Sequence, residues 1–153
     1  MSRWLSAVLV LFLLGLGGCF RHGNTGVGAG YSRFGDREFG GRYAGFVKSP
    51  IEHIIAETPE PIIVRRIGGI IRSEGGEWPA WVEVIFEIRG PGTVTKIRGV
   101  LADQQGRFKM GSLPSGSYSF KATANGWQSV VGTIIVSKDA KPGQVDLLMP
   151  LGR

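Results

Sequence analysis

Val82-Glu83-Val84-Ile85-Phe86-Glu87-Ile88-Arg89 places apolar residues at 82, 84, 86 and 88 and sets Glu83, Ile85 and Glu87 between them. A period of two belongs to a strand with one dry and one wet face. Working outward, Ser117 to Ala124 repeats the pattern: Tyr118, Phe120, Ala122 and Ala124 alternate with Ser117, Ser119, Lys121 and Thr123. Near the C-terminus Val145, Leu147 and Met149 share a face. Further β-rich runs are Ile62 to Arg72, Thr93 to Ala102, Arg107 to Leu113 and Ser129 to Ser137. Turn residues separate them at Gly75-Gly76, Gly90-Pro91-Gly92, Gln105-Gly106, Pro114-Ser115-Gly116, Asn125-Gly126 and Pro142-Gly143. Asn125-Gly126 suits a tight hairpin, whose central residues take positive φ. Short strands at this spacing predict an all-β fold, a seven-stranded antiparallel sandwich or barrel. About 90 residues suffice to enclose a core.

Five segments recur in a fixed order: Ile67-Gly68-Gly69-Ile70-Ile71, Pro79-Ala80-Trp81-Val82-Glu83-Val84, Asp103-Gln104-Gln105-Gly106-Arg107-Phe108, Leu113-Pro114-Ser115-Gly116-Ser117-Tyr118 and Ala122-Thr123-Ala124-Asn125-Gly126-Trp127. Together they resemble the carboxypeptidase regulatory-like domain, a prealbumin-like (transthyretin-like) β-sandwich, from about Ile67 to Leu148. In physical terms they are turn residues and core plugs. Phe108 and Tyr118 are expected to enter the core, and Pro114 and Gly116 to fix a bend.

The other half of the chain has a different character. The 153 residues are 42% hydrophobic and 20% charged, which fits one ordinary domain. Twenty-five glycines and eight prolines favour turns over long helices. A single Cys excludes an internal disulfide framework, and the two His, His22 and His53, exclude a His-rich metal centre. After Arg3, the stretch from Trp4 to Gly18 is uncharged, and its apolar heart from Ala7 to Leu14 is too short to span a bilayer. This is the layout of an export signal. It ends Leu16-Gly17-Gly18-Cys19, which resembles the lipobox of bacterial lipoproteins. The resemblance implies cleavage after residue 18 and acylation of Cys19 with diacylglyceryl and palmitate-type chains. Small Gly17 and Gly18 leave the backbone open to a peptidase, and a thiolate is the good nucleophile nearby. Several acyl chains on one residue give firm anchoring. Phe20 stands where Asp is the usual inner-membrane retention signal, so the resemblance implies the outer membrane in a host with two.

From Phe20 to Pro50, glycines interrupt every register, with Tyr31, Phe34, Phe39, Tyr43, Phe46 and several Arg between them. The stretch is expected to be a flexible spacer with a reach of roughly 30 Å. Phe20 to Lys48 carries five basic and two acidic residues, whereas the chain from Ser49 carries twelve and ten, so the spacer is the more basic part for its length. Binding to nucleic acid is not expected of an exported chain; grazing contact with anionic head groups is, and a third reading has the aromatics dock on a partner. Ser49-Pro50-Ile51-Glu52 reads as a helix start, with Ile51, Ile54 and Ile55 on one face before Thr58-Pro59. The expected organisation is a signal at 1–18, a lipidated N-terminus, tether and helical turn at 19–61, and the sandwich at 62–153.

Chemistry finds few footholds. His53 and Glu57 do not match the zinc motif of the carboxypeptidase catalytic unit, and a second His ligand is missing. A Ser-His-Asp triad would need His53, outside the sandwich. Transthyretin-related hydrolases end Tyr-Arg-Gly-Ser, whereas this chain ends Met149-Pro150-Leu151-Gly152-Arg153. A Lys-to-Asp cross-link of the adhesin type would use Asp146 with Glu83 or Glu87, but the first strand offers Arg65, Arg66 and Arg72 and no Lys. Arg89, Lys96, Arg98, Arg107 and Lys109 either form a basic stripe or solvate outward faces. Trp78 and Trp81 form a binding surface if both lie exposed on one edge. Otherwise Trp78 covers a sheet edge while Trp127 packs over the core. The expectation is a non-catalytic lipoprotein with no cofactor or metal, held at a membrane through Cys19. It would bind another envelope protein or, alternatively, a carbohydrate or glycolipid.

Overall fold

Alternating apolar residues build two facing sheets whose dry faces meet. The computed structural model describes residues 32–33, 41–49, 55–93 and 95–152. Among them are eleven strands and no α-helix. They are β1 (Ser32–Arg33), β2 (Val47–Lys48), β3 (Ile55–Glu57), β4 (Ile62–Val64), β5 (Gly68–Ser73), β6 (Val84–Arg89), β7 (Ile97–Leu101), β8 (Arg107–Lys109), β9 (Gly116–Ala124), β10 (Ser129–Val136) and β11 (Val145–Met149). The larger sheet runs β3-β10-β9-β6-β7, with β4 also paired to β10; the smaller runs β11-β5-β8. Their inner residues form one core, in which Phe86 of β6 stacks on Phe108 of β8 at 4.1 Å and on Phe120 of β9 at 5.7 Å. Phe108 therefore joins the two sheets. Tyr118 is buried, and its hydroxyl donates to the Pro114 carbonyl at 2.7 Å, which ties down the bend before β9.

Four expectations need correcting. The sheets are mixed rather than antiparallel: β11 runs parallel to β5, and β3 and β4 run parallel to β10. Parallel neighbours require a crossover, and here the chain changes sheet between β4 and β5 and again between β10 and β11. For the same reason the run from Ile62 to Arg72 is two strands, broken at Arg65–Ile67. Residues 50–54 of the expected helix lie outside the described residues, and Ile55–Glu57 is a strand on the edge of β10. Ile55 takes its place there by parallel pairing with Ser129 of β10.

The third correction concerns the spacer. Residues 41–49 do not extend away as a tether; they lie as a strap across the outer face of the larger sheet. Tyr43 and Phe46 pack edge to face at 5.6 Å in a cluster with Val131, Ile55 and Ile97. Burying Phe46 alone contributes about 2–3 kcal/mol. Polar side chains of the sheet hold the strap's backbone. The Val47 N–H donates to Glu87 Oε2 at 2.6 Å, and the Thr123 hydroxyl donates to the Val47 carbonyl at 3.3 Å. Arg89 donates to the carbonyls of Gly41, Arg42 and Ala44, with its guanidinium 5.3 Å from the centre of the Phe46 ring. β2 at the strap's end pairs with β1. The folded unit thus takes in the strap and β3 as well as residues from 62 onward.

The strap also overturns the expected wet face. Ile85 and Glu87 on β6, and Lys121 and Thr123 on β9, are all buried; Glu87 is 1% exposed and Lys121 0%. The two charged residues face each other directly in the β6–β9 register, the arrangement in which opposite charges on neighbouring strands attract. The signal region, Leu16, Gly17, Gly18, Cys19, His22 and His53 lie outside the described residues.

Candidate functional site

Two turns at one end of the smaller sheet make the most built cleft among those the structure describes. The first follows β5. Trp78 turns inward and is 9% exposed; its indole N–H donates to the Ile71 carbonyl at 2.8 Å. Its ring lies 5.0 Å from that of Trp127, whose own N–H donates to Ser73 Oγ at 2.9 Å. Both indoles keep a partner for their one polar atom, which is what burial demands of Trp. The chain then bends through Pro79-Ala80-Trp81-Val82, closed by the Val82 N–H on the Pro79 carbonyl at 2.9 Å. Trp81 stands on this bend, 74% exposed. Trp78 and Trp81 therefore do not form one exposed surface: the first is a floor and the second a projection.

The second turn is Asp103-Gln104-Gln105-Gly106-Arg107, leading into β8. Asp103 Oδ1 accepts the N–H groups of Gln105 at 3.0 Å and Arg107 at 2.8 Å, and Oδ2 accepts Arg107 Nε at 3.1 Å. The Arg107 backbone bond above all holds the Asp103 carboxyl below the usual aspartate range. Gly106 has φ +76°, and its carbonyl accepts the Ile71 N–H at 2.8 Å. A Cβ here would fall 2.0 Å from the Ile71 carbonyl oxygen and 2.9 Å from the Trp78 indole nitrogen, so only glycine lets the two turns meet.

Between the turns lies a cleft of about 480 Å³ lined by Arg72, Glu77, Trp78, Ala80, Gln104 and Gln105, among others. Ala80 is the neighbour of Trp81 in the chain. Arg72 reaches away to form a fork with Asp146, at 2.7 and 2.6 Å from Nη2 and 3.1 Å from Nε. Gln105 Oε1 accepts from Arg107 Nη2 at 3.0 Å. A second cleft of about 420 Å³ crosses β5 and β8, with Arg66, Arg107 and Lys109 at its sides and Gly68, Phe108 and Met110 in its lining.

Other expected groupings come apart. Arg89 binds the strap, Arg98 lies on β7 with Lys96 just before it, and Arg107 and Lys109 lie on β8 in the other sheet, so the five do not form one stripe. Asp146 and Glu87 sit on opposite outer faces with the core between them, and Glu83 lies just before β6, in the larger sheet. Asp146 pairs with Arg72. No three His, Cys, Asp or Glu side chains gather as metal ligands among the described residues.

The sequence singled out Asp103-Gln104-Gln105-Gly106 as a turn but not as a wall of a cleft. Glu77 went unremarked because a solvent-facing Glu carries no pattern of its own. The pairing of the two turns depends on the backbone of Gly106, whose only trace in the sequence is a glycine in a turn. No protein-family model matches the chain, and no curated protein matches it either.

Proposed function

We propose that this chain is a lipid-anchored, non-catalytic protein of a bacterial cell envelope whose β-sandwich binds another envelope protein. The observation that carries the anchor is Leu16-Gly17-Gly18-Cys19 closing an apolar run, with the chain's single Cys at the acylation position. Phe20 favours the outer membrane where a host has two. The finer fold assignment, a prealbumin-like domain of the carboxypeptidase regulatory-like type, draws support from the seven strands β5 to β11, which fill the stretch carrying the resemblance.

Anchoring confines the sandwich to a surface and raises its effective concentration for a weak partner. The larger sheet offers β7 as an edge, with Leu101 at its end exposed. Edges of this kind accept a strand from another chain. A second reading, a carbohydrate-binding module, is favoured by the exposure of Trp81 on the turn whose Ala80 lines the cleft.

Replacing Cys19→Ser is expected to leave uncleaved precursor and to abolish palmitate labelling in cells. Labelling that persists in this variant would falsify the anchor. Cross-linking in intact cells is expected to recover an envelope protein attached near β7.

A further inference from the structure

We infer that the cleft between the Pro79–Val82 turn and the Asp103–Arg107 turn binds a neutral saccharide, with the Trp81 indole as the surface on which a sugar ring stacks. This deepens the carbohydrate reading and rests on it.

Three observations converge. The first is Trp81 itself. It is by far the most exposed aromatic side chain among the described residues, on a turn pinned by its own backbone bond. A broad, rigid apolar face left in water suits the C–H face of a pyranose, because stacking removes apolar surface at little cost in side-chain freedom. The second is the cleft lined by Ala80, the residue before Trp81 in the chain. Its volume of about 480 Å³ falls within the range of small-ligand sites. Glu77 supplies carboxylate acceptors, and Gln104 and Gln105 each supply an amide that both donates and accepts, which matches the mixed character of sugar hydroxyls.

The third observation selects neutral over anionic sugars. Among the described lining residues Arg72 is the one cation of this cleft, and its guanidinium is committed to Asp146 in a charge-assisted fork. Glu77 adds a negative charge to the same cleft. A sulfate, phosphate or uronate here would meet a carboxylate and no unengaged cation among the described lining residues. The cleft over β5 and β8 has the opposite balance, with Arg66 and Lys109 and no acid among its described lining residues, so an anion would settle there instead. Trp78 contributes the floor and not a second stacking face, because its ring is covered by Trp127.

The test uses the mature, acylated chain in a non-glycosidic detergent. It is titrated separately with chitotetraose, cellotetraose and a heparin tetrasaccharide. Trp4 leaves with the signal and Trp127 is buried, so a change in tryptophan emission reports on the cleft through Trp81 or the Trp78 floor. The expected result is a saturable blue shift with at least one neutral tetrasaccharide. Trp81→Ala weakens binding by calorimetry at least about tenfold, while Trp81→Phe keeps part of the affinity. Gln104→Ala weakens binding by about tenfold with the far-ultraviolet circular dichroism unchanged. Saturable binding of the heparin fragment alone overturns the preference for neutral sugars and leaves the carbohydrate reading standing. No saturable response to any of the three overturns both. Neutral-sugar binding that is unchanged in Trp81→Ala overturns the site.

Discussion

The two outer faces of the sandwich carry the same kind of alternating sequence and meet opposite fates. On the larger sheet, Glu87, Lys121 and Thr123 occupy the positions that read as wet, and all three are buried, Glu87 and Thr123 against the strap's backbone. On the smaller sheet, the outward positions Arg72, Asp146 and Leu148 stay in water, Leu148 at 57% exposure. Polar residues are thus buried where they satisfy the backbone of a crossing segment, and an apolar residue is exposed where nothing among the described residues crosses. A period of two tells which residues point together; it does not tell which side the rest of the chain will cover.

Three measurements press on this contrast. The largest effect is expected at Glu87. Glu87→Ala removes the acceptor of the Val47 N–H and the carboxylate opposite Lys121, and stability in urea should fall by about 3 kcal/mol. Adding Lys121→Met should recover part of that loss, since an apolar residue no longer needs the missing partner. A loss below about 0.5 kcal/mol, typical of a surface change, would mean that the strap does not seal this face in solution.

A smaller effect is expected from alkali. Burial raises the Tyr43 phenol above its usual value of 10.0, against a lowering pull from Arg42. The folded chain therefore holds this proton more tightly than the unfolded chain does. That contribution is complete below about pH 10 and is lost as pH rises through the folded value. Urea midpoints measured from pH 8 upward should fall less steeply in Tyr43→Phe, with the remaining slope coming in part from Tyr118, which burial also raises. Identical slopes would place Tyr43 in water.

The smallest effect is expected on the open face. Leu148→Ser should change stability by no more than about 0.5 kcal/mol. A loss of several times that size would show that something covers Leu148 in the intact protein, and the contrast between the faces would disappear.

Strands β6, β9 and β11 are legible because each carries its own alternation, which points Phe86, Tyr118 and Phe120 to one face. Phe108 stands out through the turn motif before it, and the remaining strands only as β-rich runs. The strap is not legible. Its glycines read as a spacer, and Tyr43 and Phe46 lie too close together to show a period. Their destination is set by Arg89, Glu87 and Thr123, which are distant in sequence and close only after folding. The candidate site divides in the same way. Trp78 and Trp81 are the same residue three positions apart, and a hydrogen bond to Ile71 sends one inward while a four-residue bend leaves the other outside. Parallel pairing was hidden as well, because it follows from where the chain changes sheet rather than from any one strand.

Because the strap is fastened to the sandwich and β1 is paired to β2, the length of chain between Cys19 and the first described strand is short. Only residues 20–31 separate Cys19 from Ser32. Twelve residues can cover at most about 45 Å. For a chain moored at Cys19, the sandwich would patrol a thin shell next to the lipid, and any partner would have to present itself within that depth.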